Sequence, residues 1–143
     1  MLELTVAFCK RFEGFRSKPY LCPANVPTIG YGTTYYLDGS KVTLSDPPIT
    51  EQEAETLLVN ILTKEYLPGV LRLCPGLSGN RLEAIVDFAY NLGLGNLKIS
   101  TLRKRLNEGN YDAASTEILK WNKANGRILL GLSTRREAES RYL

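Results

Sequence analysis

Apolar positions recur at helical spacing from the start of the chain. Leu4, Phe8 and Phe12 stand at i, i+4 intervals with Cys9 beside them, and Gly14 is placed to end the helix they predict. The pattern then changes. Between residues 15 and 43 short β-prone pieces alternate with Pro19, Pro23, Pro27, Gly30 and Gly32, and residues 28–32 and 33–37 read as strands. Asp38-Gly39, set between Tyr35-Tyr36-Leu37 and Lys41-Val42-Thr43, predicts a hairpin, so this region is expected to form a small antiparallel sheet.

Ser45-Asp46-Pro47-Pro48 is a stop, and helical periodicity returns behind it. Thr50 and Glu53 have the spacing of a capping box, acidic residues fill the first turns, and Ala54, Leu57, Leu58, Ile61 and Leu62 supply the stripe. Pro68-Gly69 is expected to end or kink this helix. Further helices follow: a stripe of Leu82, Ile85, Val86, Ala89 and Tyr90 closed by Gly93 and Gly95, then segments near 101–106 and 111–121, and a last one that Ser133 can cap. The expected fold class is α+β within one domain, 1–143. Its sheet-bearing lobe covers about 13–49, a connecting helix about 50–67, and a helical lobe about 68–143 plus the first helix, with a ligand expected in a cleft between lobes.

Composition sharpens this plan by exclusion. The chain has 143 residues and no histidine, which removes Ser-His-Asp and Cys-His hydrolysis, His-ligated metals and imidazole switches. Three cysteines, Cys9, Cys22 and Cys74, are too few and too scattered for a disulfide framework and indicate synthesis in a reducing compartment. No export signal is evident near the start, and no apolar run reaches the ~20 residues of a membrane span, so stable membrane insertion is not expected. Charge is uneven: residues 1–97 carry 8 Lys+Arg against 10 Asp+Glu, and residues 98–143 carry 10 against 5. A basic half suits an anionic partner or simply a solvated face; nucleic acid is the weakest candidate, because no aromatic-basic motif accompanies the charge.

The densest group of polar, glycine and aromatic residues is Phe12-Glu13-Gly14-Phe15-Arg16, followed by Tyr20-Leu21-Cys22 and Thr28-Ile29-Gly30-Tyr31-Gly32. Glu13 falls in the last turn of the first helix between Phe12 and Phe15. The negative end of the helix dipole and apolar neighbours both favour its protonated form, as a general acid needs. A solvated surface acid is the plainer reading of Glu13 on this signal alone. Cys22 taken alone is as well explained as a small thiol filling space, and Thr28 as an ordinary strand residue.

Residues 12–34 resemble the active-site region of phage-type lysozymes, the endolysins of glycoside hydrolase family 24. That family's signature is Glu, eight residues, Asp or Cys, five residues, then Thr; Glu13, Cys22 and Thr28 match it without a gap. The segment from Ile49-Thr50 to Leu57, Ala89-Tyr90-Asn91-Leu92-Gly93, and the pattern of Trp121, Gly126-Arg127, Gly131-Leu132, Arg135-Arg136 and Glu139 resemble later family blocks in order. The resemblance implies a lysozyme-like fold and hydrolysis of the β-1,4 bond between N-acetylmuramic acid and N-acetylglucosamine in peptidoglycan, with Glu13, Cys22 and Thr28 catalytic. It places Gly30, Tyr31, Gly32, Thr34 and Asn91 at substrate-binding positions and requires neither cofactor nor metal.

It further implies a monomer made in the host cytoplasm that reaches the wall through a separate membrane-permeabilising protein, a holin. Cys22 is open to three roles: a base, if Lys18 or Arg16 lowers its pKa; a nucleophile; or a group that orients water. A lytic transglycosylase and a non-catalytic wall-binding module are the alternative functions. Gly32-Thr33-Thr34 departs from the family's frequent Gly-His-Thr; the missing histidine implies loss of an ion pair and a less stable N-terminal lobe. Trp121, in an apolar patch with Ile118 and Leu119, is expected in the core rather than against a sugar.

Overall fold

The computed structural model describes residues 1–143. They form two compact units, Met1–Lys64 and Glu65–Leu143.

The first unit opens with α1, Glu3–Glu13, which buries Thr5, Phe8 and Cys9 and ends where Gly14 takes φ 73°. Only glycine adopts that angle without strain, so the predicted stop is where the sequence puts it. Strand β1, Arg16–Leu21, pairs antiparallel with β2, Pro27–Gly30. Its register shifts between Arg16 and Tyr20, where Pro19 has no N–H to give the ladder. The expected 38–39 hairpin is present in reduced form: Tyr35 and Lys41 make an isolated bridge, and the Gly39 N–H reaches the Tyr36 carbonyl at 3.0 Å. The residues expected as a strand over 33–37 are held only by such single bridges, Ile29 with Thr33 and Tyr35 with Lys41.

Helix α2, Glu51–Ile61, has the full capping box. The Thr50 side chain accepts from the Glu53 N–H at 3.1 Å, and the Thr50 N–H donates to the Glu53 carboxylate at 3.1 Å. Ala54, Leu57 and Leu58 face inward. Of the two outcomes expected at Pro68-Gly69, an end or a kink, the helical path does not end there but is interrupted just before it. A π-helical turn, Leu62–Tyr66, leads straight into α3, Leu67–Leu73, with Pro68 in its first turn. The proline ring would collide with the carbonyl four residues back, at Lys64, and Lys64 lies in the π turn, where the α-helical ladder is already interrupted.

The second unit is helical: α3, α4 (Gly79–Leu92), α5 (Leu94–Ile99), α6 (Thr101–Asn107), α7 (Tyr111–Ile118) and α8 (Leu130–Ser140). Its core is built on α4, whose Leu82, Ala84, Ile85, Val86, Phe88 and Ala89 are all buried. Trp121 meets the buried Phe88 edge-on at 5.7 Å, a packing role as expected. Gly93 alone closes α4; Gly95 lies inside α5. Ser133 is inside α8 rather than its cap, because helical bonding already begins at Leu130, and its hydroxyl accepts from Asn122 instead. A two-residue ribbon, β3 (Lys123–Ala124) with β4 (Arg127–Ile128), turns at Asn125-Gly126, both with positive φ. No helix is long and apolar enough to cross a membrane.

Candidate active site on the first hairpin

The β1–β2 hairpin brings Cys22 and Thr28 together. Its loop is Pro23-Ala24-Asn25: the Asn25 N–H donates to the Cys22 carbonyl at 2.8 Å, Asn25 takes φ 61°, and the Cys22 N–H closes on the Val26 carbonyl at 3.1 Å. This is the three-residue hairpin loop, a turn followed by one left-handed residue, and its sequence suits it. Proline presets φ at the first turn position, and asparagine tolerates the left-handed one. Cys22 thus occupies the first position of a turn, where Asp, Asn and Ser side chains commonly accept from the main chain ahead of them.

The thiol is used in that way. Main-chain hydrogen bonding at Val26, and to a lesser extent at Ala24, holds the half-buried Cys22 thiol below the ordinary thiol range against a smaller opposing effect of burial. Neither Lys18 nor Arg16 is a source of this lowering, contrary to the sequence expectation. Arg16 instead lies over the Tyr20 ring, 4.3 Å from its centroid. Thr28 is 3% exposed, and its hydroxyl donates to the Val26 carbonyl at 2.8 Å. Turned toward the sulfur, the same proton would also favour a thiolate. A hydroxyl has one proton, and the 2.8 Å contact gives it to Val26, so the main-chain groups carry the effect on Cys22.

Glu13 is the last residue of α1, one peptide before the Gly14 turn that feeds β1. Its charge reaches the hairpin. The Tyr20 phenol is raised first by burial, then by Glu13, and further by Cys22, with Arg16 opposing. An acid, a thiol and a hydroxyl are therefore gathered around Tyr20, to which the sequence reading gave no role of its own. The signal available in the sequence was alternation: Tyr20 and Cys22, two apart on a strand, share a face.

The other expected site residues divide. Tyr31 is 2% exposed, and its hydroxyl donates to Glu51 at 2.6 Å; burial first, then that bond, push its phenol up to about 12. Its ring meets Phe15 at 5.7 Å, so it packs α2 against the hairpin and presents no face to a ligand. Gly30 is buried at φ 67°, and a Cβ there would stand 3.0 Å from the Ala54 Cβ, so its lack of a side chain serves the approach of α2. Gly32, at φ 85°, and Thr34 are half-buried. Thr33, at the family's histidine position, is 4% exposed and its hydroxyl has no hydrogen-bond partner. In the second unit, Asn91 is half-buried and its Oδ1 accepts from Arg136 at 2.8 Å, which leaves the amide NH2 as a donor.

A concavity of about 600 Å³ opens where Tyr36 and Leu37 meet Ile49, Gln52 and Leu57. None of Glu13, Cys22 and Thr28 lines it. The hairpin, with its perturbed thiol and neighbouring acid, is the better candidate for chemistry than this hollow.

The phage lysozyme family model matches residues 10–139. The chain is 42% identical over 131 residues to an endolysin of Bacillus phage B103, covering 91% of this chain but 48% of that one, so it spans about half the length of that relative. It is 37% identical over 141 residues to an endolysin of Acyrthosiphon pisum secondary endosymbiont phage 1, covering 96% and 92% of the two chains. The solved endolysin from Escherichia coli O157:H7 phage FAHEc1 superposes with a TM-score of 0.85 at 30% identity, over 98% of this chain and 90% of that chain. On fold and sequence together, the chain belongs to the phage lysozyme family.

Proposed function

We propose that this chain is an endolysin muramidase, a glycoside hydrolase that cuts the β-1,4 bond between N-acetylmuramic acid and N-acetylglucosamine in bacterial peptidoglycan. Family membership supports the reaction class. The observation that supports the residue assignment is the hairpin geometry, which sets a thiol held below its ordinary range beside the Thr28 hydroxyl, with the charge of Glu13 reaching Tyr20 on the same hairpin.

Glu13 protonates the departing glycosidic oxygen. Cys22, as thiolate, takes a proton from water attacking the anomeric carbon, and Thr28 offers that water an acceptor. A thiolate held by main-chain donors does this without a neighbouring cation. Gly32 and Thr34 contact the glycan, and in the second unit the Asn91 NH2 has the donor chemistry that suits an acetamido carbonyl. Gly30 and Tyr31 act on the site through packing. The reading extends to a monomer, synthesised in the host cytoplasm and admitted to the wall by a holin.

Glu13→Gln removes the acid while keeping the side chain's shape. The expected outcome is loss of turbidity decrease on purified peptidoglycan, with an unchanged thermal melt. Full retention of activity overturns the assignment.

A further inference from the structure

Tyr20 shares a face of the β1–β2 hairpin with Cys22 and Thr28. The ladder sets Tyr20 directly opposite Thr28, and opposed residues carry their side chains on one face, roughly 5 Å apart at Cβ. Cys22 lies two residues on, and the bond from its N–H to the Val26 carbonyl continues the ladder, so alternation returns it to that face. Arg16 covers the ring at 4.3 Å and restrains its plane. Burial, then Glu13 and Cys22, hold the phenol above its ordinary range against the opposing effect of Arg16, so the hydroxyl keeps its proton near neutral pH.

We propose that Tyr20 is a further catalytic residue, the donor that orients the attacking water over Cys22 and Thr28. This rests on the reading of Cys22 as the base. The hydrogen-bond count leaves a place for such a donor. Thr28 has given its proton to Val26 at 2.8 Å, and a thiolate has none, so both can only accept. A water held by two acceptors directs both its hydrogens at them and leaves two lone pairs. One lone pair must point at the anomeric carbon; a donor to the other fixes the molecule's rotation, and Tyr20 is the hydroxyl-bearing side chain that shares this face with Cys22 and Thr28.

In the step itself, the water oxygen bonds to the anomeric carbon and one water proton passes to the Cys22 sulfur. The glycosidic bond breaks, and its oxygen leaves with the Glu13 proton. The Tyr20 proton stays in place throughout.

The test compares the full chain with Tyr20→Phe, Arg16→Gln and Cys22→Ala on purified peptidoglycan, measuring kcat, KM and the methanol-to-water product ratio in added methanol. Tyr20→Phe keeps the ring and loses the donor. The expected result is a fall in kcat of about 10- to 100-fold with KM within about twofold. The methanol share rises at least about threefold, because water loses its orientational advantage over an alcohol with a single O–H.

Wild-type kcat and product ratio in a folded Tyr20→Phe overturn the proposal, since a purely structural ring is unchanged by that substitution. If Tyr20→Phe does not fold, Arg16→Gln decides: a lower kcat with a raised methanol share supports the proposal, and wild-type values overturn it. Inactive Cys22→Ala beside fully active Tyr20→Phe overturns Tyr20 alone. Wild-type activity in Cys22→Ala overturns the base assignment and the Tyr20 proposal with it.

Discussion

Cys22 shows how much one turn position changes in a side chain. All three cysteines are free thiols, but Cys9 and Cys74 are buried and burial raises the Cys74 thiol, whereas main-chain donors at the hairpin loop lower Cys22. The folded protein is therefore expected to take up one equivalent of iodoacetamide near neutral pH, at Cys22. The midpoint of its alkylation rate should lie below the roughly 8.5 of an unperturbed thiol. Mass spectrometry of the labelled peptide checks both points; a midpoint at or above that of a free thiol shows that the hydrogen bonds have no effect. The sign for activity follows. With Cys22 as the proposed base, protonation removes it, so hydrolysis is expected to fall as pH drops through the lowered thiol value, and Cys22→Asp to move that fall to more acid pH. Cys22→Ala and Cys22→Ser lose the limb altogether.

Among the elements, the approach of α2 to the first hairpin is the tightest constraint on the site. Gly30→Ala meets two costs: left-handed backbone at φ 67°, and a Cβ at 3.0 Å from the Ala54 Cβ. The expected loss is about 2–3 kcal/mol, from overpacking plus backbone strain. Gly39→Ala is the internal control, because φ is 85° there but nothing lies within 4 Å, so only the backbone strain of about 1 kcal/mol remains. Urea midpoints of the two variants measure the difference; equal losses would mean that helix approach is not limiting.

The elements legible in the sequence were those specified by local chemistry: α1 with its Gly14 stop, and the Thr50–Glu53 capping box. Those misjudged depended on neighbours. β1 reads as a broken segment because Pro19 interrupts it, and it is a strand only because β2 supplies partners on either side of the register shift. The β3–β4 ribbon carried an Asn-Gly signal but has only two residues a side, too short for a periodicity to register.

At the scale of the whole molecule, the excess of basic residues toward the C-terminus is partly internal. Arg135 donates to both Asp87 oxygens, at 2.9 and 2.7 Å, and Arg136 to both Glu139 oxygens, at 2.7 and 3.0 Å, with all four side chains at most 4% exposed. Two of the basic residues in that half thus face carboxylates in the core rather than an anionic partner. Asp87→Asn leaves Arg135 buried without its counter-charge and should cost about 3–5 kcal/mol, read from denaturant midpoints.

The two acids respond oppositely to pH. Burial and the Asp87 charge push Glu139 well up, whereas the hydrogen bond from Glu139 and the two arginines hold Asp87 down in spite of burial. The folded state therefore retains a proton on Glu139 that the unfolded chain releases near pH 4.3, so this group's contribution declines as pH rises above about 4.3 toward its folded value. Asp87 contributes above about 3.9, and its share is lost as pH falls through its lower folded value. Thermal melts across pH should show Glu139→Gln with a shallower decline as pH rises above about 4.3 than the parent; identical slopes would remove Glu139 as its source.

The sequence by itself determined the family, the helices bounded by caps and glycines, and the identities of the acid, thiol and hydroxyl. Those features reside in residue type and short spacing, which survive without a fold. Only the tertiary structure decided which of the marked residues are packed away from a ligand. Gly30 and Tyr31 belong to a run resembling a sugar-binding strand, but α2 covers both and takes the Tyr31 hydroxyl for Glu51. Tyr20 is visible in sequence only as part of the Tyr20-Leu21-Cys22 run, and strand pairing sets it opposite Thr28 on the face it shares with Cys22. The Cys22 thiol is shifted by peptide groups, which every residue carries and no sequence pattern marks; a folded turn is needed to aim them.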